Sequence, residues 1–349
     1  MSDTSDPSID ARRRQIDRFD FRDVHPSARF GTASDRYAGW IGQIYPPSYA
    51  DRISTRKRRL GGKTFEERTL PIESVADYFE HFGVLELDFT YYRPLRDADG
   101  EATSNYWVLA NYAEHAPPQA RFYLKVPRTY FSRILRRGSG KNVEYVDNPD
   151  FLDVDAYVAQ FHEPAAEVLG DRIVGFLFEQ EYQRKNESPT PEENVAELAP
   201  FFDELPTGVQ PHVELRSEHL LAPPYFEWLE DRGIGFVFSH WTWLPPIRKQ
   251  WTMAGERFTA ADGNAVARLL TPLNMRYADA YARAYPFDRA VEEICATEQA
   301  RNMVMDVTAL LFQAEKHSQL LNVLANNRAW GNAPILTREI ANRILDFEA

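Results

Sequence analysis

A chain of 349 residues with 44% hydrophobic and 13% aromatic side chains holds enough apolar material for one large α/β domain or two small ones. Its 52 acidic against 40 basic residues leave a formal charge of −12, which argues against a surface built as a whole to coat nucleic acid or anionic membrane. A single cysteine, Cys295, rules out an intramolecular disulfide and fits a reducing compartment.

The opening MSDTSDPSIDARRRQIDRFDFRD is polar and charged and lacks the apolar stretch of a signal peptide. No apolar run approaches the roughly 20 residues that span a bilayer, so a cytoplasmic protein without a membrane partner is expected. On composition, residues 1–25 read as a flexible polar arm and 26–349 as the folded domain.

Eight apolar runs of strand length follow in order: ARFGTA (28–33), GVLELDF (83–89), RFYLKV (121–126), IVGFLFE (173–179), QPHVELR (210–216), GIGFVFS (233–239), AVARLLT (265–271) and LLNVLAN (320–326). Several are nearly continuous in Val, Ile, Leu and Phe, the pattern of strands covered on both faces. Helical periodicity fills most gaps, as in ESVADYFEHF, DVDAYVAQFHEPAAEVLG, TPEENVAELAPFFDEL, PPYFEWLEDR and the closing LTREIANRIL. Thr190 followed by Pro191 has the form of a cap with proline in the first turn. Patterning is poorest around the sixth and seventh runs.

Strand alternating with helix implies parallel strands joined by crossovers, and eight such units ending in a helix imply a closed (β/α)8 barrel. An open doubly wound sheet is the structural alternative. Connections entering the strands are short (LGDR, DRG), whereas those leaving them are long, notably 34–72 and 127–152. In barrels the loops after the strands build the functional face. RKRRLGGK and RRGSGK read as loop tips.

Charge is unevenly spread. Residues 51–68 carry seven basic and three acidic side chains, and residues 125–141 carry six basic and no acidic ones. HWTWLPPIRKQW, leaving the sixth strand, adds Arg248, Lys249 and three tryptophans. In a barrel these segments emerge at one end, where a positive rim would attract an anion. Arginine forks suit phosphate or carboxylate, and tryptophan can stack on a base or sugar. Taken singly, each run is equally an ordinary solvated loop.

Polar residues ending the strands are the natural site candidates: Asp88, Lys125, Glu179, Glu214, Arg216, His240, Arg268, Asn326 and Asn327. Three readings compete for them. Glu179 and Glu214 form an acid/base carboxylate pair; or Glu179, Glu214, His240 and Asp88 hold a divalent metal; or Glu214 pairs with Lys125 or Arg216 and positions cations that bind an anion. Candidate catalytic residues are thus Glu214, Glu179, Lys125 and His240. Lys125, Arg128 and Arg216 are expected to converge at the mouth, oriented by Glu214. Trp40, Tyr45 and Tyr49 either line a pocket or pin a long loop. No P-loop, G-x-G-x-x-G, H-E-x-x-H or G-x-S-x-G occurs, so nothing points to an organic cofactor.

At these same segments the chain resembles the YecE-like barrel family, domain of unknown function 72. The likeness is carried by GTASDRYAGWIGQIYPPSY, VLELDFTYYRP, ARFYLKVPRTYF, PHVELRSEHL, RLLTPLNMRYADAYARAYPFDR and ANNRAWGNAP, from about Phe30 to Leu345. The resemblance implies a barrel with recurrent polar positions at Glu86, Thr90, Tyr92, Lys125, Arg128, Glu214, Arg216, Arg268 and Asn327, and it supplies no established reaction. Asp35 departs from the family's tryptophan, Asp88 from its asparagine and Glu179 from its glutamine. The expectation is an enzyme, or a descendant of one, that binds a small anionic or phosphate-bearing ligand, with a nucleic-acid fragment as one candidate. The alternatives are a carbohydrate-active hydrolase using Glu179 and Glu214, or a non-catalytic binding module.

Overall fold

A computed structural model describes residues 8–137 and 144–349. The strands in chain order are β1 (Ala28–Ala33), β2 (Ser54–Leu60), β3 (Lys63–Thr69), β4 (Val84–Leu87), β5 (Phe122–Lys125), β6 (Ile134–Arg137), β7 (Glu144–Asp147), β8 (Ile173–Gln180), β9 (Pro211–Leu215), β10 (Gly235–His240), β11 (Asn264–Leu269) and β12 (Leu320–Ala325). Eight of them close a barrel in the order β1-β12-β11-β10-β9-β8-β5-β4. Every pairing in it is parallel, and β1 seals it by pairing with both β12 and β4. Each barrel strand lies within or within one residue of an apolar run, because a strand covered by helices outside and side chains inside must be apolar on both faces. The architecture is the expected (β/α)8 barrel.

The outer layer follows local rules. Helix Pro191–Asp203 starts in a full capping box, Thr190 with Glu193, and has proline in its first turn. Helix Pro223–Arg232 stops at Gly233, whose φ of 65° suits glycine at a helix end. The poorly patterned sixth and seventh units carry short helices, Ile247–Met253 and Tyr277–Ala284. No helix among the described residues is long and apolar enough to cross a membrane.

Alternation along the strands stacks the interior in layers. Val84, Tyr123, Leu177, Val237, Val266 and Leu324, one from each of six strands, form an apolar cluster distinct from the core between barrel and helices. One step toward the strands' C-terminal ends the inward positions turn polar, and there the site lies.

Two expectations need correction. The basic loop tips are antiparallel hairpins. β2 pairs with β3 from Ser54 opposite Thr69 to Leu60 opposite Lys63, and β6 pairs with β7. Gly61 and Gly62, with φ of 57° and 78°, make the two-residue turn of the first; Lys141 of the second lies outside the described residues. The segment expected as a flexible arm contains helix Ile9–Asp17, tied to the C-terminal helix by Arg12–Glu348 at 2.6 Å and Arg13–Asp346 at 2.8 Å. Ile16, Phe21 and Val24 enter the core, so a few well-placed apolar residues anchor a segment whose average composition is polar.

Candidate functional site

The inward position two residues beyond each apolar-layer side chain gives Glu86 after Val84, Lys125 after Tyr123, Glu179 after Leu177, Ser239 after Val237, Arg268 after Val266 and Asn326 after Leu324. Glu214 stands directly opposite Glu179 in the β8–β9 register. Two carboxylates on neighbouring strands repel, and burial sharpens that repulsion. Cations answer it. Arg216 Nη2 donates to Glu214 Oε2 at 2.9 Å and to Glu179 Oε2 at 2.5 Å, and Lys125 Nζ lies 2.6 Å from the same Glu179 oxygen. Arg268 forks onto Glu86, with Nε to Oε2 at 2.9 Å, and its Nη1 donates to Glu214. The Ser239 hydroxyl donates to the other Glu214 oxygen. Three carboxylates thus face three cations.

Burial works against charge on Glu86, Glu179 and Arg268. It raises the Glu86 carboxyl, with Arg268 pulling the other way. Burial would also raise Glu179, but Arg216, Lys125 and Arg268 together hold it well below the usual carboxylate range. Aromatic faces fix the outer cations: Lys125 Nζ sits 3.8 Å from the Tyr91 ring centre and the Arg216 guanidinium 4.5 Å from Trp241. Thr90 donates to the Leu87 carbonyl at 2.8 Å and the Lys125 carbonyl at 2.6 Å, locking the turn after β4 to the end of β5.

The cavity at this end, about 1040 Å³, lies to one side of that layer. It opens beyond β1, β4 and β12, under the β2–β3 hairpin and against helix Tyr277–Ala284, with Glu86 as the shared wall. Of the site candidates singled out in the sequence, Glu86, Asp88, Tyr92, Asn326 and Asn327 line it. Lys125, Glu179, Glu214, Arg216 and Arg268 do not; they are spent on one another. Arg128 is half-buried and makes no ion pair among the described residues. Trp40 is buried behind the wall, donating to Asn327 Oδ1 at 3.0 Å, and that oxygen also accepts from the Ala333 backbone at 2.8 Å. Both residues therefore pin the loop after β1 to the last helix.

His240 is turned away from the carboxylates. Its Nδ1 lies 2.8 Å from the Thr271 carbonyl, burial lowers its pKa to about 4, and it borders a second cavity of about 440 Å³. The quartet of Glu179, Glu214, His240 and Asp88 considered for a metal does not assemble. Among the described residues no three His, Cys, Asp or Glu side chains are grouped to hold an ion.

The cavity wall brings in Asp35, which the sequence marked only as a departure from the family pattern, and two residues that the sequence reading passed over, Arg36 just after β1 and Arg328 just after β12. Each obeys the strand-end rule, which was the available signal. Asp35 is buried, accepts from the Tyr112 hydroxyl at 2.7 Å, and has no partner for Oδ2 among the described residues. Burial pushes its carboxyl up to about 6, against Arg36 and the Tyr112 hydrogen bond. Arg328 lies 4.5 Å over the Tyr277 ring, and Arg36 donates to the Leu70 carbonyl at 3.3 Å and lies 5.9 Å from the Tyr112 ring centre. On the hairpin, Arg56 and Arg58 both pair with Glu67, each at 2.7 Å.

Fold and mouth define the class: a single (β/α)8 barrel with a charged layer closing its interior and a cavity beside it. The chain belongs to the family described as Protein of unknown function DUF72, whose model matches residues 54–345; the opening motif around Trp40 precedes that span. The chain is similar to a solved DUF72 family protein from Thermotoga maritima MSB8, at 16% identity and TM-score 0.52, covering 91% of this chain and 99% of that one. It is also similar to one from Enterococcus faecalis V583, at 15% identity and TM-score 0.52, covering 92% and 98%. At such identity the likeness speaks for the fold alone. No curated protein matches the chain.

Proposed function

We propose that this barrel is an enzyme, or derived from one, that takes a small molecule bearing a phosphate or carboxylate into the mouth cavity. One observation carries the reading. Arg36 and Arg328 line the cavity, and neither has a carboxylate within ion-pair distance among the described residues. A half-buried guanidinium without an ion-pair partner is costly, Asp35 acts on Arg36 only from beyond ion-pair distance, and a bound anion removes that cost while using the planar fork. Tyr37, Tyr92 and Tyr277 on the same wall offer ring faces and hydroxyls to the rest of the ligand. Asp35 favours an enzyme over a passive binder, since a carboxyl raised to about 6 can give or take a proton near neutral pH. The hydrolase reading of Glu179 and Glu214 has less support, because both carboxylates are held by cations and neither lines the cavity.

The test is a thermal-shift screen over phosphates, carboxylates, nucleotides, sugars and divalent metals. The best anionic hit is then titrated into wild type and R328A at two salt concentrations. We expect R328A to bind roughly ten-fold or more weakly and the wild-type affinity to fall with salt. Equal affinity in both proteins, or no anionic hit, removes the reading.

A further inference from the structure

Three cations converge on one carboxylate oxygen outside that cavity. Glu179 Oε2 lies 2.6 Å from Lys125 Nζ, 2.5 Å from Arg216 Nη2 and 3.6 Å from Arg268 Nη1. The other two carboxylates of the layer are committed elsewhere and sealed. Glu86 is forked by Arg268, and Glu214 holds Ser239, Arg216 and Arg268; both have side-chain exposure of 0%. Glu179 keeps 13% exposure, and its Oε1 accepts no hydrogen bond from the described residues. It is thus the one carboxylate of the layer that can leave by rotating its own side chain.

If Glu179 leaves, the cations stay. Tyr91 backs Lys125 and Trp241 backs Arg216, while Glu86 and Glu214 hold Arg268. The layer then carries three positive charges against two negative ones, with Lys125 Nζ and Arg216 Nη2 within hydrogen-bond distance of the point that an oxygen has just vacated and Arg268 Nη1, itself bonded to Glu214, 3.6 Å from it. An ammonium and two guanidiniums around one point suit any oxyanion of small size. At the edge of this place stand Tyr182 and Trp243, 48% and 43% exposed, with ring centres 6.2 Å apart. Tyr182 lies 6.4 Å from Trp241, the ring that backs Arg216. Exposed flat faces beside an anion site suit a ligand in which a ring neighbours the charged group.

We propose that Lys125, Arg216 and Arg268 form an oxyanion cradle, occupied by the Glu179 side chain in the free protein, which a ligand carboxylate or phosphate enters by displacing Glu179. Lys125, Arg216 and Arg268 do not line the cavity that holds Arg36 and Arg328, so the cradle is tested apart from the cavity reading.

The experiment is calorimetric titration of sodium phosphate and sodium acetate, at constant ionic strength, into wild type, E179Q, E179Q/R216A and R328A. Glutamine keeps the shape of Glu179 and removes the competing charge. E179Q is expected to bind at least one of the two anions roughly ten-fold more tightly than wild type, the scale of one charge-assisted hydrogen bond. The gain should vanish in E179Q/R216A. A response to phosphate alone or to acetate alone assigns the oxyanion type. R328A reports on the cavity and should leave the cradle untouched. Thermal melting gives a second readout: the same anion should raise the melting temperature of E179Q more than that of wild type. No gain in affinity together with no extra anion-linked stabilisation overturns the proposal, as does an E179Q that stays unfolded in every anion.

Discussion

Arg268 and Glu86 are 182 residues apart in sequence and meet as a fork inside the barrel mouth, Nε to Oε2 at 2.9 Å and Nη2 to Oε1 at 2.5 Å. They come from β11 and β4, which β12 and β1 separate in the barrel order, so this pair spans the mouth rather than bridging neighbours. Both are buried; without Arg268, Glu86 has no ion-pair partner among the described residues, whereas Arg268 also holds Glu214.

Removing one partner therefore costs more than the pair contributes. R268A should lose about 3–5 kcal/mol, since it strands Glu86 and takes a cation from Glu214. R268K keeps the charge but not the fork and should fall between R268A and wild type. Replacing both members, R268M with E86L, should recover much of the loss, because Glu214 still has Arg216. Urea midpoints of the four proteins decide; a double variant less stable than R268A alone sinks the argument.

The sequence made the barrel legible because burial on both faces leaves no room for ambiguity in runs such as IVGFLFE and GFVFS. It also marked much of the polar layer, since Lys125, Glu179, Glu214 and Arg268 stand toward the ends of apolar runs, while Glu86 was marked by the family resemblance alone. It could not say which charges pair. The partners of Arg268 lie on strands distant in sequence, and only closure brings them together. The β2–β3 hairpin was marked by two glycines between strands, but its charged residues hid the strand signal, because its exposed face needs no apolar alternation. Arg36 and Arg328 were passed over for a similar reason. Both stand outside the dense basic runs and act singly, so local charge density does not mark them.

His212 tests the packing at the other end of the barrel interior. Its ring sits between two glycines: a Cβ at Gly235 would lie 2.0 Å from Nδ1, and one at Gly175 would lie 2.7 Å from Cδ2. G235A should destabilise by about 3 kcal/mol, the upper range for overpacking. Combining it with H212A should cost less than the sum of the two single losses, because the small ring-free side chain makes room for the new methyl group. Additive losses in denaturant midpoints would mean that the two positions do not contend for the same space.

Phe65 docks the β2–β3 hairpin over the cavity. It is the hairpin's one buried hydrophobic side chain, packed against Tyr281 at 4.9 Å and Tyr285 at 5.3 Å in a cluster separate from the main core. F65A should release the hairpin while leaving the barrel intact. The expected result is faster proteolysis between residues 54 and 69 with a nearly unchanged urea midpoint. A large global loss without local cleavage would place the hairpin within the cooperative core.

Asp35 gives the protein a pH-dependent term with a definite sign. Burial raises its carboxyl from 3.8 to about 6, opposed by Arg36 and by the Tyr112 hydroxyl 2.7 Å away. The folded state thus holds this proton more tightly than the unfolded state does. Below about pH 3.8 both states are protonated and the residue contributes nothing to the balance. As pH rises toward 6 the unfolded chain releases its proton first, so stability falls through that window. Above about pH 6 the cost is constant, on the order of 3 kcal/mol by linkage. D35N keeps the shape and an acceptor for Tyr112 but cannot ionise. Its stability relative to wild type should therefore climb between about pH 4 and 6 and level off beyond. Urea midpoints of the two proteins at half-unit steps measure the difference directly. A difference that stays flat across the window would show that Asp35 ionises in the fold as it does in water, and would remove it as a proton donor for the cavity.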